Sequence, residues 1–381
     1  MLTVKPQTRR YLDHLFLSAL LLAPLLSPAQ TATRHPTSPP NAHSRSIEPG
    51  PKPPDAPAEW KRLVGIYRHG PETVVILERS NALSWVVYQN DSLGQPPKGE
   101  FLIGIAGPGQ FRILETVGTG EKSYGGGQPL SFSMDPTVGI TSVTMNDAVY
   151  SRNDAGSDPS QFFRVTPLKP IAELRAEALA AKPPVETQTF RQGDLVELTA
   201  LDPSIHLDIR YAQSNNFLST PVYTQARAFL QRPAAEALLR AVRKLEPFGF
   251  GLLIHDAYRP WYVTKIFWDA TPPKDHQFVA SPKEGSKHNR GCAVDLTLYD
   301  LASGEPVEMP GLYDEMSLRS YPNFPGGTSL QRWHRDLLRG AMESEGFTVN
   351  ESEWWHFDYR DWKRYQLMNV KFEDLTQASP R

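Results

Sequence analysis

The chain has one cysteine in 381 residues, Cys292. No intramolecular disulfide can form, which excludes the small secreted scaffolds that depend on cross-links. Neither charge is in excess, with 40 basic residues against 42 acidic ones. The balance gives no support for binding to nucleic acid or to an anionic membrane through bulk charge, and no nucleic-acid partner is expected. The apolar run LFLSALLLAPLL (15–26) is shorter than the roughly 20 residues that a membrane span needs. It follows Lys5, Arg9 and Arg10 and precedes SPAQ (27–30). This is the pattern of a signal peptide over 1–29, cleaved after Ala29, with an uncleaved anchor as the alternative. No cysteine stands near that point, so a lipid anchor is excluded. Export without disulfides fits a periplasmic location. No internal repeat is found.

Proline is plentiful, at 35 residues, and unevenly spread. Residues 30–58 are rich in Pro and Ser and nearly free of large apolar side chains. Such a segment buries too little to offset its ordering entropy, so a disordered linker is expected. Over 59–167 short apolar or alternating runs, among them TVVILER, LSWVVYQ and EFLIGIA, are separated by Gly, Pro, Asn and Asp. The spacing predicts an all-β barrel or sandwich module. No His, Cys, Asp or Glu in it has ligand or catalytic spacing, and His69, beside Gly70 and Pro71, reads as a turn residue. A helix over 170–182, stopped by Pro183 and Pro184, makes 168–186 a helical linker. The second domain, 187–381, shows helical periods at 232–249 and 329–347. Strand-like runs lie at GFGLLIHDAY, CAVDLTLY and EWWHFDY. Helices around a mainly antiparallel sheet give an α+β domain.

Within that domain GSKHNRGCAVDLTLY (285–299) stands out. In CAVDLTLY, Val294, Leu296 and Leu298 face one way and Asp295 the other. A carboxylate in an apolar strand is costly unless it is paired or metal-bound. His288 lies in the preceding loop, where Gly291 permits a sharp bend. His288 and Asp295 can thus converge on a metal ion; the alternative is an Asp bonded to loop amides beside an exposed His. A catalytic zinc needs three protein ligands and an open position. ESEWWHFDY (351–359) offers His356 as the third ligand and Glu353 as a base, or else an aromatic core strand with a surface glutamate. HDAYRPWY (255–262) puts Arg259 at a strand end. There it would stabilise an oxyanion or form a structural ion pair with Asp256. Cys292, between Gly291 and Ala293, reads as a small buried filler rather than a nucleophile.

SKHNRGCAVD, EWWH and DAYRP, together with DIRYAQSNNF (208–217) and the PVY after it, resemble the VanX-type D-alanyl-D-alanine dipeptidases. These are zinc enzymes of the D-Ala-D-Ala metallopeptidase group. The resemblance spans about 195–368. It implies one Zn2+ held by His288, Asp295 and His356, Glu353 as general base, and Arg259 on the tetrahedral oxyanion. It also implies substrate contacts by Ser286 and Tyr223, and an anchor for the substrate ammonium at Asp314. The segment MPGLYDEMS departs from the family pattern, with Pro310 directly after Met309. Hedgehog-type domains and D,D- or L,D-carboxypeptidases share the two metal motifs. A carboxypeptidase trimming peptidoglycan stem peptides and a non-catalytic zinc-containing cell-wall binding module are therefore the alternatives. The expected substrate is a small D-amino-acid dipeptide. WKRLVGIY (60–67) and the hairpin at 131–152 resemble small lipocalin-like β-barrel modules attached to bacterial peptidases; a partner for this module is not evident.

Overall fold

The computed structural model describes residues 49–89, 91–93, 95–116, 127–154 and 163–375. The expected signal peptide and the first part of the Pro-rich linker lie outside the described residues. After a short helix α1 (Ala58–Leu63), eight strands close an antiparallel barrel. They are β1 (Gly65–His69), β2 (Glu72–Arg79), β3 (Ala82–Gln89), β4 (Gly99–Gly107), β5 (Gln110–Thr116), β6 (Pro129–Asp135), β7 (Gly139–Met145) and β8 (Ala148–Arg152). Strands β1 and β8 pair to close the ring. Two hairpins turn on a pair of positive-φ residues, Ser80–Asn81 and Asn146–Asp147. That backbone matches the strand twist and suits Asn and Asp.

Alternate residues of these strands point inward. Tyr67, Trp85, Phe101, Ile113 and Val143 fill the interior, so the barrel encloses a packed core. TVVILER is apolar on both faces because its outer face is covered as well. Ile66, Val75, Leu77, Val86 and Tyr88 form a second cluster with Phe324 of the following domain. His69 ends β1 and its Nδ1 lies 2.9 Å from the Val149 carbonyl. The described end of the Pro-rich segment also packs on that domain. The Gly50 carbonyl accepts from Trp333 Nε1 at 3.3 Å, and the Lys52 ammonium lies 5.1 Å from the Phe250 ring centroid.

The second domain begins with helix α2 (Ile171–Ala180), two-stranded pairing of β9 (Leu195–Glu197) with β11 (Phe229–Gln231), and the short helix α3 (Leu198–Leu201). Its main sheet has the order β10 (His206–Leu207), β12 (Phe250–Asp256), β13 (Ala293–Asp300), β15 (Glu353–Tyr359), β14 (Phe347–Asn350). Only β10–β12 is parallel. Helices α4 (Arg232–Leu245), α5 (Trp261–Ala270) and α6 (Ser329–Ser344) complete it. Helix α4 has Pro233 in its first turn and ends through a 3-10 turn at Gly249, whose φ of 85° suits glycine. Helix α6 starts with a capping box: Thr328 Oγ1 accepts from the Gln331 amide, and Gln331 Oε1 accepts from the Thr328 amide. Val294, Leu296 and Leu298 join the core with Leu238, Leu337 and Ala341 from the helices, which leaves the opposite face of β13 to the site.

Candidate metal centre and active-site cleft

Three neighbouring segments bring His288, Asp295 and His356 together. Asp295 lies in the middle of β13, directly opposite His356 on β15. His288 sits in a 3-10 turn that Gly291 ends at φ 66°. The positive φ favours glycine there, and a Cβ would also stand 2.5 Å from Leu195 Cδ2, so that side chain would have to shift. The facing atoms form a small triangle. His356 Nδ1 is 3.0 Å from Asp295 Oδ1, His288 Nε2 is 3.2 Å from His356 Nδ1, and His288 Nε2 is 3.4 Å from Asp295 Oδ1. Ligands bonded to a tetrahedral zinc at 2.0–2.1 Å lie about 3.3 Å from one another. Asp295 Oδ1 is buried and faces the two imidazole nitrogens, so it is poised to share a cation with them. The residues present fit a single divalent ion.

Each of the three is held from behind. His288 Nδ1 is 2.6 Å from the Ala257 carbonyl, so the proton sits there and Nε2 is left as acceptor. His356 Nε2 faces Asp358 Oδ1 at 2.9 Å, so a proton kept there makes Nδ1 the nitrogen that would bind an ion once its own proton is displaced. The other oxygen of Asp358 pairs with Lys287. Asp295 Oδ2 accepts from the Tyr313 hydroxyl at 3.2 Å. Burial pushes His356 towards neutrality, but its bonds to Asp295 and Asp358 outweigh this and raise its pKa well above the ordinary value. In Asp295 the two imidazoles likewise outweigh burial and hold the carboxyl far below its usual range.

Glu353 is three residues before His356, an odd step that strand alternation would send to the other sheet face. A register shift in the β14–β15 pairing, between Val349 and Asn350, turns it back. Its Oε2 lies 3.6 Å from His356 Nδ1 and accepts from Asn350 Nδ2 at 3.1 Å. Burial pushes its pKa up, and the neighbouring His356 pulls against that shift. Glu353, the three clustered residues, Arg259, Ser286 and Asp314 all border one cavity of about 330 Å³, at the small end for ligand pockets. Trp355, Tyr211, Phe217 and Phe267 supply apolar wall, while Trp354 turns away into a different cavity.

A family model described as D-Ala-D-Ala dipeptidase, Peptidase_M15, matches residues 191–376. The D-alanyl-D-alanine dipeptidase of Escherichia coli K12 is 35% identical over 179 residues, which is 47% of this chain and 91% of that protein. The protein of the same name from Enterococcus faecium is 35% identical over 190 residues, 44% of this chain and 93% of its own length. A Streptomyces coelicolor protein of that name is 32% identical over 190 residues, with 93% of it covered. The chain belongs to the D-Ala-D-Ala dipeptidase family. It is a metallopeptidase of that group.

In this peptidase Arg259 makes the ion pair that was the alternative to a catalytic role, and also reaches the cleft. Its Nε and Nη2 donate to Asp256 Oδ2 at 2.9 and 2.7 Å. Its guanidinium lies 4.9 Å from the Phe267 ring centroid and borders the cavity. Tyr223, expected against the substrate, is not part of the cavity wall. Its hydroxyl donates to Asp256 Oδ1 at 2.7 Å, so it stands behind the Asp256–Arg259 pair. The Ser286 hydroxyl accepts from the His288 amide at 3.2 Å. Asp314 has a φ of 55° and accepts from the Tyr211 hydroxyl at 2.9 Å. Burial, then the charges of Asp295 and Glu353, push its pKa up to about 8. Cys292 is fully buried, and burial raises its thiol pKa, so it is an inert filler.

Sequence reasoning named Asp256 only as a partner for Arg259, and it missed Tyr313 and Asp358. Asp358 was findable, because it lies two residues from His356 and so on the same strand face. Tyr313 comes from a loop whose path no local pattern reveals.

Proposed function

We propose that this enzyme hydrolyses D-alanyl-D-alanine, or a close D-amino-acid dipeptide, in a zinc-dependent reaction. The observation that carries the reading is the 3.0–3.4 Å triangle of His288 Nε2, Asp295 Oδ1 and His356 Nδ1 beside a buried glutamate. These three would hold the ion. Zinc there supplies Lewis acidity, which acidifies water and polarises a carbonyl. Glu353 takes the proton of the attacking water and hands it to the leaving amine. Its raised pKa suits both halves of that transfer. Arg259, fixed by Asp256, donates to the carbonyl oxygen as charge develops on it.

Asp314 anchors the substrate's ammonium in this reading. Its buried carboxyl borders the cleft, where a cationic partner would offset the cost of burying its charge, which favours substrates with a free amino end. Ser286 lies on the same wall and contacts the dipeptide backbone. The reaction would take place outside the cytosol, given the export pattern of residues 1–29.

One observation favours the carboxypeptidase alternative. A second cavity of about 560 Å³ shares Gln277, Phe278, Met316, Ser352 and Glu353 with the first, and it offers room for a longer peptide. The deciding experiment compares D-Ala-D-Ala with its N-acetylated form, alongside Glu353→Ala. That variant is expected to keep zinc and lose hydrolysis about 10²–10⁴-fold. Equal turnover of both substrates supports the carboxypeptidase, and unchanged turnover in the variant removes Glu353 as base.

A further inference from the structure

The matched relatives leave little room for the barrel. The Escherichia coli protein is 91% accounted for by its match to 47% of this chain. Less than a tenth of it lies outside, too short for eight strands. Here the barrel packs on the peptidase domain, and among the described residues much of that contact falls on residues 309–329 and the helix turn that follows them. Leu77 bridges to Gly327, and the Glu78 amide donates to the Gly327 carbonyl at 3.2 Å. The buried Glu78 carboxylate accepts from the Ser329 amide at 2.7 Å, and Arg332 donates to the Glu78 carbonyl at 2.8 Å. Phe324 is 2% exposed and sits among Ile66, Val75, Leu77 and Val86 of the barrel's outer face.

That same segment carries Tyr313, which bonds to Asp295, and Asp314, which borders the cleft. It also folds against itself. A Cβ at Gly311 would stand 2.6 Å from the Arg319 carbonyl oxygen, so the two arms touch backbone to backbone. Arg319 Nε donates to the Pro310 carbonyl at 2.9 Å and lies 3.4 Å from Glu315 Oε1. Glu315 in turn accepts from the Leu312 amide at 2.8 Å and from the Ser317 hydroxyl at 2.7 Å. On its other side Arg319 Nη1 faces Asp154, just beyond β8 of the barrel, at 3.8 Å. A path of polar contacts thus runs from Asp154 at the barrel through Arg319 to Glu315, the residue next to Asp314.

We infer that the barrel is a working part of the substrate site: it clamps the 309–329 segment, and Arg319 is the positioning residue that sets Asp314 against the substrate's amino end. The segment needs this help. Asp314 at φ 55° and Met316 at φ 50° both hold left-handed backbone, which Asp tolerates but Met keeps only where its surroundings fix it. The segment has no regular secondary structure from 307 to 317 to hold it; the side-chain bonds of Tyr313 and Asp314 to the cleft fix its tip, while Arg319 and Glu315 fix the backbone on either side.

The inference rests on the dipeptidase reading, and the test separates the two. Steady-state kinetics are measured on the full chain with D-Ala-D-Ala and with N-acetyl-D-Ala-D-Ala. Arg319→Met keeps the aliphatic stem and removes the guanidinium. The KM for the free dipeptide is expected to rise about tenfold, the loss of one bond to a charged group, with kcat nearly kept. The kcat/KM for the blocked substrate should not move, because it presents no ammonium to Asp314. A general loss of structure would lower the active fraction for both substrates alike. Should Arg319→Met fail to fold, Glu78→Gln, which loosens only the barrel seam, is expected to give the same one-sided rise at about threefold. An equal change for both substrates, or no change in KM, overturns the inference. If Asp314→Ala shows the one-sided rise while Arg319→Met and Glu78→Gln do not, the inference fails and the dipeptidase reading stands. If the unaltered enzyme hydrolyses neither substrate, the dipeptidase reading fails first.

Discussion

Asp358 is the most informative residue to change, because it touches neither substrate nor the three facing ligand atoms. Its Oδ1 lies 2.9 Å from His356 Nε2, and its Oδ2 is paired with Lys287. The carboxylate fixes which imidazole nitrogen carries the proton, and it raises the basicity of the nitrogen facing the centre. Asp358→Asn keeps the shape and an acceptor oxygen but removes the charge. Zinc affinity should fall about tenfold, or about 1.4 kcal/mol. Asp358→Ala also strands Lys287 and leaves His356 Nε2 unpartnered, so a fall nearer a hundredfold, about 2.7 kcal/mol, is expected. The assay is competition between the protein and a chromophoric chelator at neutral pH. Zinc-saturated variants should keep most of their kcat, since no reacting group has been altered. Unchanged zinc affinity in both variants would refute the claim that Asp358 orients a ligand.

Four further outcomes follow from the same geometry. His356 in the metal-free protein is held protonated by Asp295 and Asp358, so zinc must displace a proton; affinity should strengthen as pH rises, and calorimetry in buffers of different ionisation enthalpy should detect about one proton released per zinc. Asp314→Ala should raise the KM of D-Ala-D-Ala at least tenfold and leave the N-acetylated substrate unaffected, as steady-state kinetics will show. In the metal-free, substrate-free enzyme Asp314 has a folded pKa near 8, above its unfolded value of 3.8. The folded state therefore binds more protons between these values and loses stability as pH rises through that window, by at most about 1.4 kcal/mol per unit; Asp314→Asn should flatten the melting temperature measured across it. Gly291→Ala places a Cβ 2.5 Å from Leu195 at φ 66° and should cost more than about 1 kcal/mol in denaturant unfolding.

The motifs were legible because metal chemistry constrains local sequence. A buried carboxylate in CAVDLTLY, a histidine before a glycine bend and a histidine in an aromatic strand each carry a cost that demands a partner. The helices at 232–245 and 329–344 were legible from periodicity and stops, the helix at 171–180 from its proline stop alone, since its apolar residues do not gather on one face, and the barrel from its turns. Helix α5 was not, because WYVTKIFWDA is apolar nearly all round and its periodicity is blurred. The reach of Glu353 depends on a register shift between strands, which no single-strand pattern encodes. Tyr223 was placed on the substrate because sequence order says nothing about depth, and it proved to lie one layer behind. The Pro-rich composition of 30–58 suggested a disordered linker, yet in its described part the Gly50 carbonyl contacts Trp333 and Lys52 contacts Phe250. The clamp on 309–329 joins residues some 250 positions apart, such as Glu78 and Ser329, and only the fold reveals it.

The central claim is that two imidazoles and one carboxylate share a single zinc. Diffraction from crystals grown with zinc, recorded on either side of the zinc absorption edge, tests it directly. One anomalous peak is predicted, within about 2.0–2.2 Å of His288 Nε2, Asp295 Oδ1 and His356 Nδ1, with Glu353 unbound. A peak elsewhere, or one that includes Glu353 in place of any of the three, would contradict the account.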